Sequence, residues 1–218
     1  CSSPSGGSIQ PTSGRNITES TSNAPSNSAP IFATLDDVSA DEGAAVSFSK
    51  AYSDAGSSDT HSGTINWGDG NSESLTVTPG TGLISGTHNY ADDGSYTVTV
   101  TLSDDDDGDA VQSFTATIAN VAPVVVAGAA QTADEGVSIS LAPSTFSDAG
   151  SADTHTFSID WGDGSAAHSG SVTSGVYTVS DSHSYPGSGT FTVTVTISDD
   201  DAGTSSDSFT VVLNNVAP

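Results

Sequence analysis

From residue 30 onward the chain is written twice. "SADEGAAVSF" (Ser39–Phe48) returns as "TADEGVSISL" (Thr132–Leu141), and "YSDAGSSDTHSGTINWGDG" (Tyr52–Gly70) returns as "FSDAGSADTHTFSIDWGDG" (Phe146–Gly164). "HNYADDGSYTVTVTLSDDDDG" (His88–Gly108) returns as "HSYPGSGTFTVTVTISDDDAG" (His183–Gly203), and "IANVAP" (Ile118–Pro123) as "LNNVAP" (Leu213–Pro218). The offset drifts only from 93 to 95, so two single-residue insertions separate the copies. A repeat of this length is a tandem of one domain. The expected division is a tail over 1–29, a first domain over 30–122 and a second over 123–218.

Each copy reads as all-β. In "SYTVTVTLS" the side chains Tyr96, Val98, Val100 and Leu102 alternate with polar residues, and Phe191, Val193, Val195 and Ile197 repeat the alternation. Period two is the mark of a strand with one buried face. Further strands are expected at Ile31–Leu35, Ala44–Phe48, Thr64–Trp67, Ser74–Thr78 and Gln112–Ala119, with Gly, Asp and Pro turns between them. No segment carries helical periodicity of useful length. About seven short strands in each copy fit an immunoglobulin-like β-sandwich. Trp67 and Trp161 are expected in the cores.

The repeated strand ends in a puzzle: "SDDDDGD" places five carboxylates in six positions. Like charges this close repel. The whole chain carries two Lys+Arg against 27 Asp+Glu, a formal net charge of −25. That balance argues against nucleic acid or anionic lipid headgroups as partners, since both need basic patches. It leaves two readings, a cation-binding protein or a solvated acidic surface of the kind found in salt-adapted proteins.

Calcium takes about six to eight oxygen ligands from carboxylates, carbonyls and water. Three loops in each repeat offer such oxygens. They are the Asp-Glu-Gly turn (Glu42; Glu135), the "SDAGS" loop (Asp54 and Asp59; Asp148 and Asp153) and the acidic run (Asp104, Asp105, Asp106 and Asp107; Asp199, Asp200 and Asp201). Convergence of a repeat's three loops at one end of its sandwich would turn repulsion into a chelating cage. Asp160, in place of Asn66 of the first copy, is a further candidate ligand. No EF-hand loop is present. Asp69 and Asp163 are expected to brace their turns through backbone N–H groups, and His88 and His183 to act as structural hydrogen-bonding groups. His61 and His155 lie near the acidic loops, although imidazole is a poor calcium ligand.

The ordered series Trp-Gly-Asp-Gly, His-x-Tyr, Gly-x-aromatic-Thr-Val-Thr-Val-Thr, Asp-Asp-Asp-x-Gly and Asn-x-Ala-Pro resembles the PKD domain family across both repeats. The family's commoner turn has Trp-Asp-Phe-Gly-Asp-Gly, whereas here the aromatic stands one place later. The resemblance implies extracellular β-sandwiches of bacterial surface proteins, spacers or binding modules rather than catalysts, several of which bind calcium. Consistent with a non-enzyme, the chain has one cysteine, at position 1, and no Gly-x-Ser-x-Gly elbow.

The first 29 residues are rich in Ser, Gly, Pro and Asn and cannot bury enough apolar surface to fold alone. A start at Cys1 resembles a bacterial lipoprotein after signal removal, acylated at that residue. Asn16-Ile17-Thr18 is a glycosylation sequon. The junction "IANVAPVVVAG" leaves no flexible linker, and Pro123 fixes φ there, so a rod is expected. "NNVAP" repeats the motif that in its first occurrence runs into another sandwich. The functional expectation is a calcium-stabilised extracellular structural protein whose copies assemble head-to-tail into a surface filament. In that arrangement the tail lies along a neighbouring copy. The alternative is a carbohydrate- or protein-binding adhesion module, which the scarcity of aromatic residues outside core positions disfavours.

Overall fold

The structure is a computed structural model that describes residues 27–55, 59–78 and 82–217. All regular elements among them are strands. In the first repeat a five-stranded sheet runs in the order Val38–Asp41, Asp109–Ala119, Gly94–Asp104, His61–Asn66, Ser72–Ser74. Facing it is a sheet in the order Ile31–Phe32, Ala45–Ser53, Leu83–Asn89, Thr76–Thr78. The chain is thus an all-β tandem of sandwiches.

The alternation read in the central strand is what builds the core. Val98, Val100 and Leu102 are fully buried, as are Val193 and Val195 in the second repeat, while the intervening threonines stay partly exposed. Ile65 and Trp67 close the first core from the neighbouring strand and turn, and Ile159 and Trp161 the second. Each Trp-Gly-Asp-Gly turn is braced alike. Tyr90 Oη donates to the Trp67 carbonyl at 2.9 Å and Tyr185 Oη to that of Trp161 at 3.1 Å. The turn needs glycine: Gly68 has φ +85° and a Cβ there would stand 2.6 Å from the Thr97 carbonyl oxygen.

Several strands differ from expectation. Ile31–Leu35 forms only Ile31–Phe32, Ala44–Phe48 extends to Ala45–Ser53, and Ser74–Thr78 is interrupted into Ser72–Ser74 and Thr76–Thr78. Leu83–Asn89, too polar to announce itself, is a strand because it pairs with Ala45–Ala51. In the second repeat the counterpart of Ala45–Ser53 is broken into Ser138–Ser140 and Ser144–Ser147. Pro143 falls in the gap, and proline cannot donate to a ladder.

The edge strand Val38–Asp41 pairs parallel with Ala116–Ala119, and Gln131–Asp134 with Val211–Asn214. Parallel pairing carries the following Asp-Glu-Gly turn to the C-terminal end of its sandwich, where Glu42 N donates to the Ala119 carbonyl at 3.0 Å. This one topological fact positions the candidate site.

Candidate metal centre

The three acidic loops of a repeat do not converge. In the first sandwich Asp54, Asp59 and the run from Asp104 lie at the N-terminal end, whereas Glu42 lies at the other. Glu42 instead meets the loops of the second sandwich, because only four residues, Asn120–Pro123, separate Ala119 from the strand Val124–Val126. The two domains touch there directly: Ala152 N donates to the Ala91 carbonyl at 3.0 Å. A Cβ on Gly43, whose φ is +69°, would come within 2.8 Å of the Ala149 carbonyl oxygen.

The acids of the joint come from both sides. Glu42, Asp92 and Asp153 bring carboxylate oxygens within 4.8 Å of one another, and so do Asp92, Asp93 and Asp201. Glu42 is 2% exposed. Its Oε1 accepts from Val121 N at 2.7 Å, but its Oε2 has no hydrogen-bond partner, and neither carboxylate oxygen of Asp153 has one. Asn120 Oδ1 is likewise buried without a partner. Buried polar atoms are nearly always paired, so four such oxygens at one joint call for a donor or a cation.

The electrostatics agree. Burial, with the Glu42, Asp148 and Asp92 carboxylates next in weight, pushes the Asp153 carboxyl up to about 7. Burial raises Glu42 too, against the Val121 N–H, and Asp148, Asp93 and Asp92 add to the rise. Two like charges within 4.8 Å of each other repel by at least about 3.5 kcal/mol at an effective dielectric of ~20. A divalent cation would reverse that sign.

The other acids of the second repeat frame this group. Asp148 accepts from Ala149 N at 2.7 Å and pairs with His155 Nε2 at 2.8 Å. Asp199 Oδ1 accepts from Asp201 N and Gly203 N, and its Oδ2 from Asn120 Nδ2 at 3.2 Å. Asp200 accepts from Thr154 N at 2.8 Å, which lowers its carboxyl. The first Asp of each run is therefore a turn-locking residue before it is anything else.

At the N-terminal end of the first sandwich the same pattern recurs. Asp54, Asp59 and Asp104 present oxygens within 4.8 Å of one another, as do Asp59, Asp105 and Asp106. His61 Nε2 lies 2.9 Å from Asp54, and Asp105 accepts from Thr60 N at 3.1 Å. Asp104 Oδ1 accepts from Asp106 N, Gly108 N and Asn27 Nδ2, whereas its buried Oδ2 has no partner.

The remaining candidates fall elsewhere. Asp107 is exposed at φ +66° and completes the turn. Asp160 accepts from Gly162 N at 2.9 Å, a turn role that Asn66 performs for Gly68. Glu135 sits at the far end of the second sandwich, accepting from Ser188 N and Val216 N. Cys1 and Asn16 lie outside the described residues. Asp69 and Asp163 accept from Asn71 N and Ser165 N, and each also pairs with a histidine, His88 at 2.6 Å and His183 at 2.8 Å. Asp92 and Asp93 escaped the sequence reading because they belong to "YADDG", whose counterpart "YPGSG" has no acid. That difference between the copies was the available signal.

A family model described as PKD domain matches residues 27–118 and again 120–213. Among solved structures, the PKD domain of an M14-like peptidase from Thermoplasmatales archaeon SCGC AB-540-F20 is 22% identical. That match covers 44% of this chain and 98% of the other, with a TM-score of 0.35. A titin pair of Ig tandem domains is 13% identical over 88% of this chain and 100% of that one, at a TM-score of 0.37. The Yersinia pseudotuberculosis adhesin InvE is 14% identical over 84% of this chain and 58% of its own, at 0.36. No curated protein matches the chain.

Proposed function

The chain belongs to the PKD domain family through both of its repeats, and from that premise we propose that it is an extracellular structural module of the adhesion type whose two sandwiches are clamped by calcium. The observation that carries this reading is the group of unpartnered buried oxygens at the joint, Glu42 Oε2 and both of Asp153. They belong to different domains, so a cation between them ties the domains together.

Glu42, Asp92 and Asp153 offer oxygen alone, while the nearby His155 Nε2 is taken up by Asp148 at 2.8 Å, and such a set suits calcium or magnesium over thiolate- and imidazole-loving metals. Calcium fits better, since it accepts many carboxylates in irregular geometry while magnesium demands near-ideal octahedra. At the joint Glu42, Asp92 and Asp153 would hold it, with Asn120 Oδ1 within the same junction. At the N-terminal end Asp54, Asp59 and Asp104 would hold another. The ion supplies charge neutralisation and nothing catalytic. Asp148 and Asp199, already tied by hydrogen bonds, keep the loops in place.

The finer reading is a bacterial surface filament in which copies of this chain add head to tail, with the 1–29 tail along a neighbour. A heterologous contact that does not close generates such a polymer, and the negative surface makes it cation-dependent. The alternative is an adhesion module that recognises carbohydrate or protein. Calorimetric calcium titration of the chain tests the clamp: E42Q and D153N should each weaken one binding event. Unaltered calcium binding in both variants would refute it. Deleting residues 1–26, which keeps the Asn27 bond to Asp104, should abolish polymers while leaving the sandwiches folded, and filaments that persist without these residues would remove the role of the tail.

A further inference from the structure

The joint has two halves, and each is repeated at an outer end of the pair of sandwiches. Its floor, from the second sandwich, is Asp148, Asp153 and Asp199 with Asn120. Its roof, from the first, is Glu42, Asp92 and Asp93 with the Ala91 carbonyl. The floor recurs in full at the N-terminal end of the first sandwich as Asp54, Asp59 and Asp104 with Asn27. An asparagine caps each, with a change of acceptor: Asn120 Nδ2 donates to Asp199 Oδ2 at 3.2 Å, whereas Asn27 Nδ2 donates to Asp104 Oδ1 at 3.3 Å and leaves Oδ2 open. Asp104 is 8% exposed and its Oδ2 has no hydrogen-bond partner, as a ligand oxygen held ready would be.

The roof recurs at the C-terminal end of the second sandwich, but reduced. Glu135 follows the same parallel strand as Glu42, and its Oε1 accepts from Val216 N at 3.0 Å as Glu42 does from Val121 N. Gly136 keeps the left-handed φ of Gly43, +79° against +69°, with open space around its Cβ position. Yet Glu135 Oε2 is tied to Ser188 N at 2.9 Å, and Gly187 and Ser188 replace Asp92 and Asp93.

We propose that the Asp54–Asp59–Asp104 floor of one copy receives the Glu135 edge of a second copy through a shared divalent cation, and that this contact between copies needs more calcium than the joint within a copy. The inference rests on the calcium reading of the joint. Both ends are acidic, so without a cation they repel. The contact between copies has one roof carboxylate where the joint has three, and calcium affinity follows the charge count of the ligands. The molecule is therefore stiffened first and associates second, in a higher calcium range.

Sedimentation of the full chain across a calcium titration tests this, with hydrogen exchange at the Val121 amide reporting the joint in the same samples. Association should begin only after Val121 is protected. D59N and E135Q should each suppress association while leaving that protection unchanged. The double variant G187D/S188D, which restores the roof acids, should lower the calcium needed for association by about tenfold. Copies that stay monomeric at high calcium with Val121 protected overturn the proposal and leave the joint reading standing. So does association that D59N and E135Q do not alter, or that persists in chelator. If Val121 protection ignores calcium, the joint reading itself has failed.

Discussion

Asp59 and Asp153 are the same residue of the same loop, each two places before a histidine, and their surroundings have diverged. Every carboxylate that raises Asp59 beyond its burial belongs to its own sandwich: Asp54, Asp105, Asp106 and Asp104. For Asp153 the strongest carboxylate neighbour is Glu42, from the other domain, with Asp148, Asp92 and Asp200 behind it. The repeated motif therefore builds a floor, and what is set upon that floor decides whether the site is an end or a joint. Two loops that differ only at Ser58 and Ala152 acquire different chemistry from what lies against them.

Removing calcium should separate them most. A ligand present at about 100 times its Kd stabilises the fold by about 2.7 kcal/mol, so chelation should lower Tm by about 5–10 °C at this chain length. D153N should remove the calcium response of the Val121 amide, and D59N should leave it intact. Hydrogen exchange measured with and without chelator distinguishes the two, and equal loss in both variants would erase the distinction between joint and end.

A smaller effect isolates the contact from the ion. Gly43 and Gly136 share a left-handed backbone, so G43A and G136A both take on a strain of about 1–2 kcal/mol. Only Gly43 lies against the neighbouring domain, its Cβ position 2.8 Å from the Ala149 carbonyl oxygen. G43A should therefore also loosen the joint, whereas G136A should lower Tm alone. Thermal melts paired with Val121 exchange check this, and a G136A variant with a loosened joint would contradict it.

The smallest effect concerns a device placed in each sandwich away from the acidic ends. Hydrogen bonds from Ser165 and from His183 hold the Asp163 carboxyl down at about 2. A depressed carboxylate contributes stability above its unfolded value of about 4 and loses it as pH falls toward 2. D163N should flatten the melting temperature against pH across that window and change little above it. D69N should act in the same direction in the first sandwich, where Asn71 and His88 lower Asp69 against its burial.

Much of this was readable from residues. The alternation of Tyr96, Val98, Val100 and Leu102 foretells the central strand, and the doubled Trp-Gly-Asp-Gly series foretells two sandwiches of one family. Leu83–Asn89 was illegible because its place in a sheet comes from a partner, Ala45–Ala51, rather than from its own pattern. The acids of the site were mostly visible; their grouping was not. Glu42 stands twelve residues before Asp54 in the chain, but parallel pairing of Val38–Asp41 with Ala116–Ala119 sends it to the opposite end. Which loops meet is a property of topology, and local sequence does not carry it. Asp92 and Asp93 show the converse: they lie outside the pattern that the copies share, and the joint depends on what only one copy has.

If a cation between Glu42 and Asp153 makes one rod of two sandwiches, calcium has to narrow the range of distances between them. Distance distributions between spin labels placed on Ser74 and Ser169, both exposed and one in each sandwich, test it most directly. The distribution should be narrow in calcium, broad in chelator, and broad in both conditions for E42Q/D153N. A distribution of the same width in all of these states would contradict it.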